Sequence, residues 1–400
     1  METRVTPERA VAIAHTMPLP RKTETISLDR ATGRVLSKPI PSLVDDPRFD
    51  NSAMDGFAVR NQDCDGRTTL RIVGESRAGG SEPPVVGVGE ACRIMTGARI
   101  PDGADAIVIV EETEEDGDNV VIMGEPRPSF IRRRAENLSI GQEALPVGAA
   151  LGPSEIGLAA TMGHDRIPVV TKPRIAIVST GDELAKPGEE LAPSEIYESN
   201  SYALAAMVEE MGCTAVRHDA APDTLDELRR VLDSLTECDA ILTSGGVSMG
   251  EFDLVRRIME DEGDPLFWKV AMRPGGPPMF GAWKGTPLFA LPGNPVSSQV
   301  VFHVLVVPWI ANSLQYHESL GPRMADRVRV RLLDDVRGAP GKLCLRRIRI
   351  ETGDNELIGS VHTHQGSGNA HSMVAHNGLT LLPPDTEGKA GEIIDALWCR

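Results

Sequence analysis

Three apolar runs in the middle of the chain each break into a glycine-containing turn: RIAIVSTGDEL (174–184), DAILTSGGVSMGEFD (239–253) and TPLFALPGN (286–294). Runs of this kind read as strands buried on both faces, and segments of helical spacing separate them. SNSYALAAMVEEMG sets Leu204, Met207, Val208 and Met211 on one helical face. DTLDELRRVLDSL does the same with Leu225, Leu228, Leu232 and Leu235, and Thr224 and Glu227 have capping-box spacing. Another helix is predicted to start at Asn294-Pro295. Strands alternating with helices predict a mostly parallel sheet covered on both faces. Ligands of such sheets lie beyond the C-terminal strand ends, so three glycine loops at one edge predict an anion or nucleotide cleft. No Lys-Ser/Thr follows Gly245 and Gly246, which excludes the ATP-binding P-loop.

The flanks have a different texture. A helix is predicted over 3–16, with Thr6-Pro7 as cap and first turn, and another over 153–164. From about 43 to 131, short alternating runs such as TTLRIVG, ACRIMTG and DAIVIVEET stand between Gly, Pro and Asp clusters, which predicts a β-rich module. Its acidic run EETEEDGD (111–118) reads as a solvated hairpin tip rather than a cation site. After about 318 the pattern returns to short strands, predicting a C-terminal β domain. The most apolar run, VVFHVLVVPWI (300–310), is too short to span a bilayer and contains Pro308.

Charge narrows the function. A net charge of −17 argues against a general nucleic-acid binder, which needs a broad basic face. Six scattered cysteines form no zinc or redox pair, and they read as thiols in a reducing compartment. The first residues, METRVTPERA, lack a signal pattern, so a cytoplasmic protein without membrane attachment is expected.

Glu183, Asp223 and Asp253 all fall at or just past predicted strand ends, so they can face one cleft. Carboxylates beside an anion site need a hard cation such as Mg²⁺ between them and the ligand. Lys269 and Arg273, four apart on a predicted strand, can supply positive charge from one side. For any one of these residues a surface ion pair is the competing reading. Arg132-Arg133-Arg134 reads equally as phosphate site or as partner to nearby acids. His362, His364, His371 and His376 crowd one Gly/Ser loop, but their spacing fits no zinc pattern. Ser248 follows a strand and turn, yet Gly-x-Ser-x-Gly is missing and no His is placed for a triad.

Five segments together resemble the MoeA-type molybdopterin molybdenumtransferases, which are related to the gephyrin E domain. They are FDNSAMDGFAV (49–59), RIMTGARIPDGADAIV (93–108), STGDEL (179–184), SGGVSMGEFD (244–253) and ALPGNPVS (290–297). The resemblance implies an elongated, multidomain α/β plus β protein that forms a homodimer. It implies a discontinuous helical domain over 1–42 and 137–168, a β-rich inserted domain over 43–136, a doubly wound α/β molybdopterin-binding domain over 169–318, and a C-terminal β-barrel over 319–400. The implied activity is insertion of molybdate into adenylylated molybdopterin with release of AMP, dependent on Mg²⁺. Asp55, Glu183, Asp223 and Asp253 are implied as catalytic, with Glu183 and Asp253 on the metal. Thr96, Gly245, Gly246, Ser248, Lys269, Arg273, Arg346 and Ser367 are implied to bind substrate, in a site shared between one subunit's α/β domain and the other's β domain. Molybdopterin adenylyltransferase and molybdoenzymes are the implied partners. Three positions depart from the family pattern: Asn137 stands where an Asp is common, Arg273 where Lys is usual, and Gly276 where many members have Lys. A molybdopterin adenylyltransferase and a non-catalytic gephyrin-like scaffold are the alternatives.

Overall fold

A computed structural model of the chain describes residues 1–247, 253–362 and 364–399. At its centre is a seven-stranded sheet. From one edge the strands run Thr214–Arg217, Arg174–Ser179, Ala240–Ser244, Thr286–Leu291, Met279–Trp283, Asp264–Val270 and Glu2–Val5. Only Met279–Trp283 runs against the others. It is joined to Thr286–Leu291 through Lys284 and Gly285, both with positive φ, as a two-residue hairpin requires.

The period of two in each strand divides the core. Ile175, Ile177 and Leu242 face a cluster with Leu204, Val208 and Val300, whereas Ala176, Val178 and Ile241 face Leu228, Leu232, Val255 and Ile258. Helices therefore cover both faces, and each carries the apolar stripe that its sequence shows. Thr224 caps the helix Leu225–Leu235 by accepting the Glu227 N–H.

The start of the chain differs from its expected form. The helix predicted over 3–16 begins at Pro7, and Glu2–Val5 is an edge strand of the central sheet. Val5, Ala10, Ile13, Ala14 and Leu19 pack in the α/β core, so this segment, read from the sequence as part of the small helical domain, is built into the central body. The small module is formed by the antiparallel pairs Thr23–Ser27 with Arg166–Val170 and Ile40–Pro41 with Glu143–Leu145, plus the helix Pro153–Thr161. Its core is Leu36, Ile40, Leu145, Leu151, Ala159, Ile167 and Val169.

Between those two halves lies a six-stranded sheet around Phe57, Val59, Leu70, Val108 and Val120. Its strands Thr113–Asp116 and Asn119–Ile122 form a hairpin that carries the acidic run. A closed five-stranded barrel ends the chain. The helix Pro295–Ser313 reaches 19 residues and is apolar enough to cross a membrane, longer than its densest apolar run suggests. Its Val296, Val300, Phe302, Leu305 and Trp309 are instead wholly buried in the core. All six cysteines are free thiols.

Candidate functional site

The three glycine loops converge as expected. They surround a cavity of about 740 Å³ beyond the ends of Arg174–Ser179, Ala240–Ser244 and Thr286–Leu291. Gly245, at φ +103, shows why this edge needs glycine. A Cβ there would lie 2.7 Å from the Thr180 carbonyl oxygen and 2.8 Å from its hydroxyl. The glycine thus lets two loops cross in contact. Its N–H donates to the Leu291 carbonyl (3.0 Å), so that amide serves the sheet and not a ligand. Gly246 also lines the cavity, at φ +63. Ser248 lies outside the described residues.

Among the described residues, every Asp, Glu, Lys or Arg on the wall is an acid: Glu183, Glu198, Asp223 and Asp253. Asp223 donates its backbone N–H to Asp182 Oδ1 (3.0 Å), and its own carboxyl is held above the ordinary value. Burial is the main cause, followed by Asp182, with Glu183 and Asp253 adding further repulsion. Thr180 Oγ1, also at the wall, is buried without a hydrogen-bond partner. Asp253 immediately precedes the helix Leu254–Asp261, where the macrodipole favours its negative charge.

Sequence reasoning missed Glu198 and Asn200. Glu198 is buried and accepts from Ser179 Oγ (2.7 Å), Ser201 N–H (2.8 Å) and Ser201 Oγ (2.6 Å). Asn200 Nδ2 donates to Ser244 Oγ (2.9 Å) and the Gly293 carbonyl (2.6 Å), tying the start of one helix to two loops. The signal was the polar run ESNS directly before an amphipathic helix.

Lys269 and Arg273 do not share a strand. The chain turns at Ala271, leaving Lys269 in Asp264–Val270 and Arg273 in Met272–Arg273. Lys269 Nζ lies 4.0 Å from the centroid of the Trp268 ring, and Lys269 lines a second cavity of about 620 Å³. Arg273 lines neither cavity. Pro277 lines both. The C-terminal domain reaches the first cavity through Gly368 and Ala370, and the Ser367 carbonyl accepts the Val296 N–H (3.1 Å). Arg346 turns away to donate through Nε to the Arg337 carbonyl (3.1 Å).

Asp55 and Thr96 belong to the six-stranded domain and are not on the wall of either cavity. Asp55 Oδ1 accepts from Thr96 N–H (2.6 Å) and Oγ1 (2.8 Å), and these bonds hold its carboxyl below the ordinary range. Two of the three clustered arginines are paired, Arg133 with Asp50 (2.7 Å) and Arg134 with Asp45 (2.6 Å). Asn137 donates to Asp46 (3.1 Å), a contact that an acid there would turn into repulsion. The rings of His362 and His376 lie 4.3 Å apart, tilted by 43°, and no group of His, Cys, Asp or Glu among the described residues forms a ready metal cage. Mg²⁺ does not need one, because it binds through one or two carboxylates plus water and phosphate oxygens. The repelling acids and the orphaned Thr180 hydroxyl fit that requirement.

Comparison with known proteins follows the same division of the chain. Residues 5–163 match the profile described as MoeA N-terminal region (domain I and II), and residues 176–312 match a probable molybdopterin binding domain. A molybdopterin molybdenumtransferase 2 of Mycobacterium tuberculosis is 41% identical over 71% of this chain and 73% of that protein. A molybdopterin molybdenumtransferase of Nostoc sp. is 33% identical over 90% of this chain and 85% of that protein. The crystal structure of a molybdopterin biosynthesis MoeA protein from Pyrococcus horikoshii OT3 superposes with a TM-score of 0.86 at 27% identity, covering 99% of this chain and 100% of that one.

Proposed function

The chain belongs to the MoeA family of molybdopterin molybdenumtransferases, and on that premise we propose that it inserts molybdate into adenylylated molybdopterin, releases AMP and yields molybdenum cofactor. The observation that carries this reading is the acid-lined cavity at the strand ends of the segment matched to a molybdopterin binding domain. An anionic pterin phosphate cannot approach four carboxylates without a cation. Glu183 and Asp253, on opposite loops of the cavity, would hold Mg²⁺. When bound, that ion polarises the phosphoanhydride and offsets charge on the departing AMP. Asp223, whose carboxyl burial and the neighbouring acids shift upward, stands on the same wall. Asn200 and Glu198 keep the loops in place, and Gly245 keeps them in contact.

In this reading the functional unit is a homodimer in the cytoplasm. Asp55 and Thr96 of a second copy face the cavity, while the barrel closes it through Gly368 and Ala370, next to Ser367. Substrate comes from molybdopterin adenylyltransferase, and product passes to molybdoenzymes. The test is AMP formation from adenylylated molybdopterin, with and without molybdate and Mg²⁺. Turnover that needs both is the expected result. Adenylylation of free molybdopterin from ATP would point to the adenylyltransferase, and no turnover by a folded protein would point to a scaffold.

A further inference from the structure

The histidine-rich stretch of the barrel domain has no part in the function proposed above, yet it stands where the barrel meets the acid-lined cavity. Residues 364–376 lie between the strands Leu357–Val361 and Gly378–Thr380. Gly368 and Ala370 of this segment are on the cavity wall. The Ser367 carbonyl accepts the Val296 N–H (3.1 Å) in the first turn of the helix Pro295–Ser313, where Asn294 gives no side-chain cap. The segment is thus wall and helix cap at once.

Two side chains hold it. Arg347 is 1% exposed, and no carboxylate neutralises it among the described residues. Its Nε donates to Ser372 Oγ (3.0 Å), and its Nη2 to the carbonyls of Gly366 (3.0 Å) and His364 (3.4 Å). A buried cation bonded only to neutral acceptors is left unsolvated if those acceptors move away. Asn369 is the second. Its Nδ2 donates to the His364 carbonyl (3.3 Å) and lies 3.3 Å from both His362 Nε2 and His364 Nδ1. A carbonyl only accepts, so the amide NH2 and not the amide oxygen faces the two rings. Each of those ring nitrogens therefore accepts, which a neutral imidazole does and an imidazolium cannot.

The surroundings oppose charge on these rings. Burial holds His362 below the ordinary imidazole value, and Arg347, His364 and His371 add repulsion. Burial also lowers His376, against its bond to the Ser372 carbonyl (3.1 Å), with His362, Arg347 and Arg349 repelling. Glu351 pairs with Arg349 (2.8 Å), and Asp334 accepts the Val361 N–H (3.0 Å).

We propose that Arg347 and Asn369 are positioning residues that hold 364–376 as the barrel-side wall of the acid cavity, and that protonation of His362 and His364 releases it. His362 and His376 bind a proton less readily in the folded chain than in the unfolded one. Their support is therefore complete above about pH 6.5 and is lost as pH falls below it. The wall is closed at neutral pH and loosens in mild acid.

The experiment is amide hydrogen exchange of the purified full chain between about pH 8 and about pH 5, corrected for intrinsic exchange rates. The barrel strand Ala325–Leu332 is the internal reference, and unfolding midpoints are followed in parallel. Protection of 364–376 and of the Val296 amide is expected to fall about tenfold or more toward acid, with the reference strand unchanged. Asn369→Asp supplies a carboxylate that accepts from an imidazolium, so its protection should rise as pH falls, opposite to wild type. Arg347→Met should lower protection at every pH. Protection of wild type that does not vary with pH, or a wild-type slope in folded Asn369→Asp, would overturn the switch. Wild-type protection in Arg347→Met would remove Arg347 from the hold. Exchange is read without substrate, so a chain that shows this pattern but releases no AMP would lose only the proposed function.

Discussion

Two cavities that share Pro277 are built by opposite means. Among the described residues, the larger is lined by four carboxyl groups with no lysine or arginine, and the smaller by three cations with no acid. Glycines form the first: Gly181, Gly245 and Gly246 take positive φ where any other residue would strain or collide. The second is formed by side-chain-bearing residues in the same backbone region, Arg4 and Lys269, which accept strain to hold charge in place. Where the chain needs close backbone approach it uses glycine; where it needs a fixed charge it tolerates the cost of a Cβ.

The sharpest way to break this contrast is to neutralise the acid cavity. Asp253→Asn is expected to lower Mg²⁺-dependent AMP release by about 100-fold or more, with little change in the unfolding midpoint. Activity that keeps its Mg²⁺ dependence in that variant would remove Asp253 from the cation site. Gly245→Ala tests the scaffold instead of the charge. Its Cβ would press on the Thr180 backbone, so a loss of about 2–3 kcal/mol is expected in urea unfolding. A fully stable variant would mean that the loops are free to separate.

Smaller effects sharpen the comparison. Gly276→Lys adds a cation where the smaller cavity has room, and molybdate affinity read by dialysis should rise about threefold to tenfold. Unchanged affinity would place the oxyanion away from this wall. The least effect concerns pH. The carboxyl of Asp223 is raised by burial and by Asp182, Glu183 and Asp253, so the folded state holds this proton more tightly than the unfolded one. Stability therefore falls as pH rises from the ordinary carboxylate value through the raised one. Asp223→Asn should remove that part of the slope, and Mg²⁺ should stabilise wild type more than the variant at neutral pH. Parallel stability–pH curves for the two proteins would contradict this.

Much of the central fold was legible because its signals are local. Buried runs ending in glycine, helix stripes at 3.6 spacing and the Thr224 cap each lie within about a dozen residues. The acidic hairpin was legible for the same reason. The edge strand Glu2–Val5 was not, since a four-residue strand with three exposed positions has no pattern that its own sequence can express. Lys269 and Arg273 were misjudged as one strand because the turn at Ala271 is fixed by bonds to Val5 and Leu343, both far along the chain. Glu198 was missed because an acid beside a serine helix start resembles a solvated cap until the serine hydroxyls are seen around it.

From its residues alone this chain determined an α/β body, the edge at which its loops gather, and the acids that edge presents, because periodicity and turn chemistry act between near neighbours. Which charges share a hollow was decided only in three dimensions. Arg4, Lys269 and Lys342 meet because strand pairing fixes register between distant segments, and register depends on the whole packed core rather than on any single stretch.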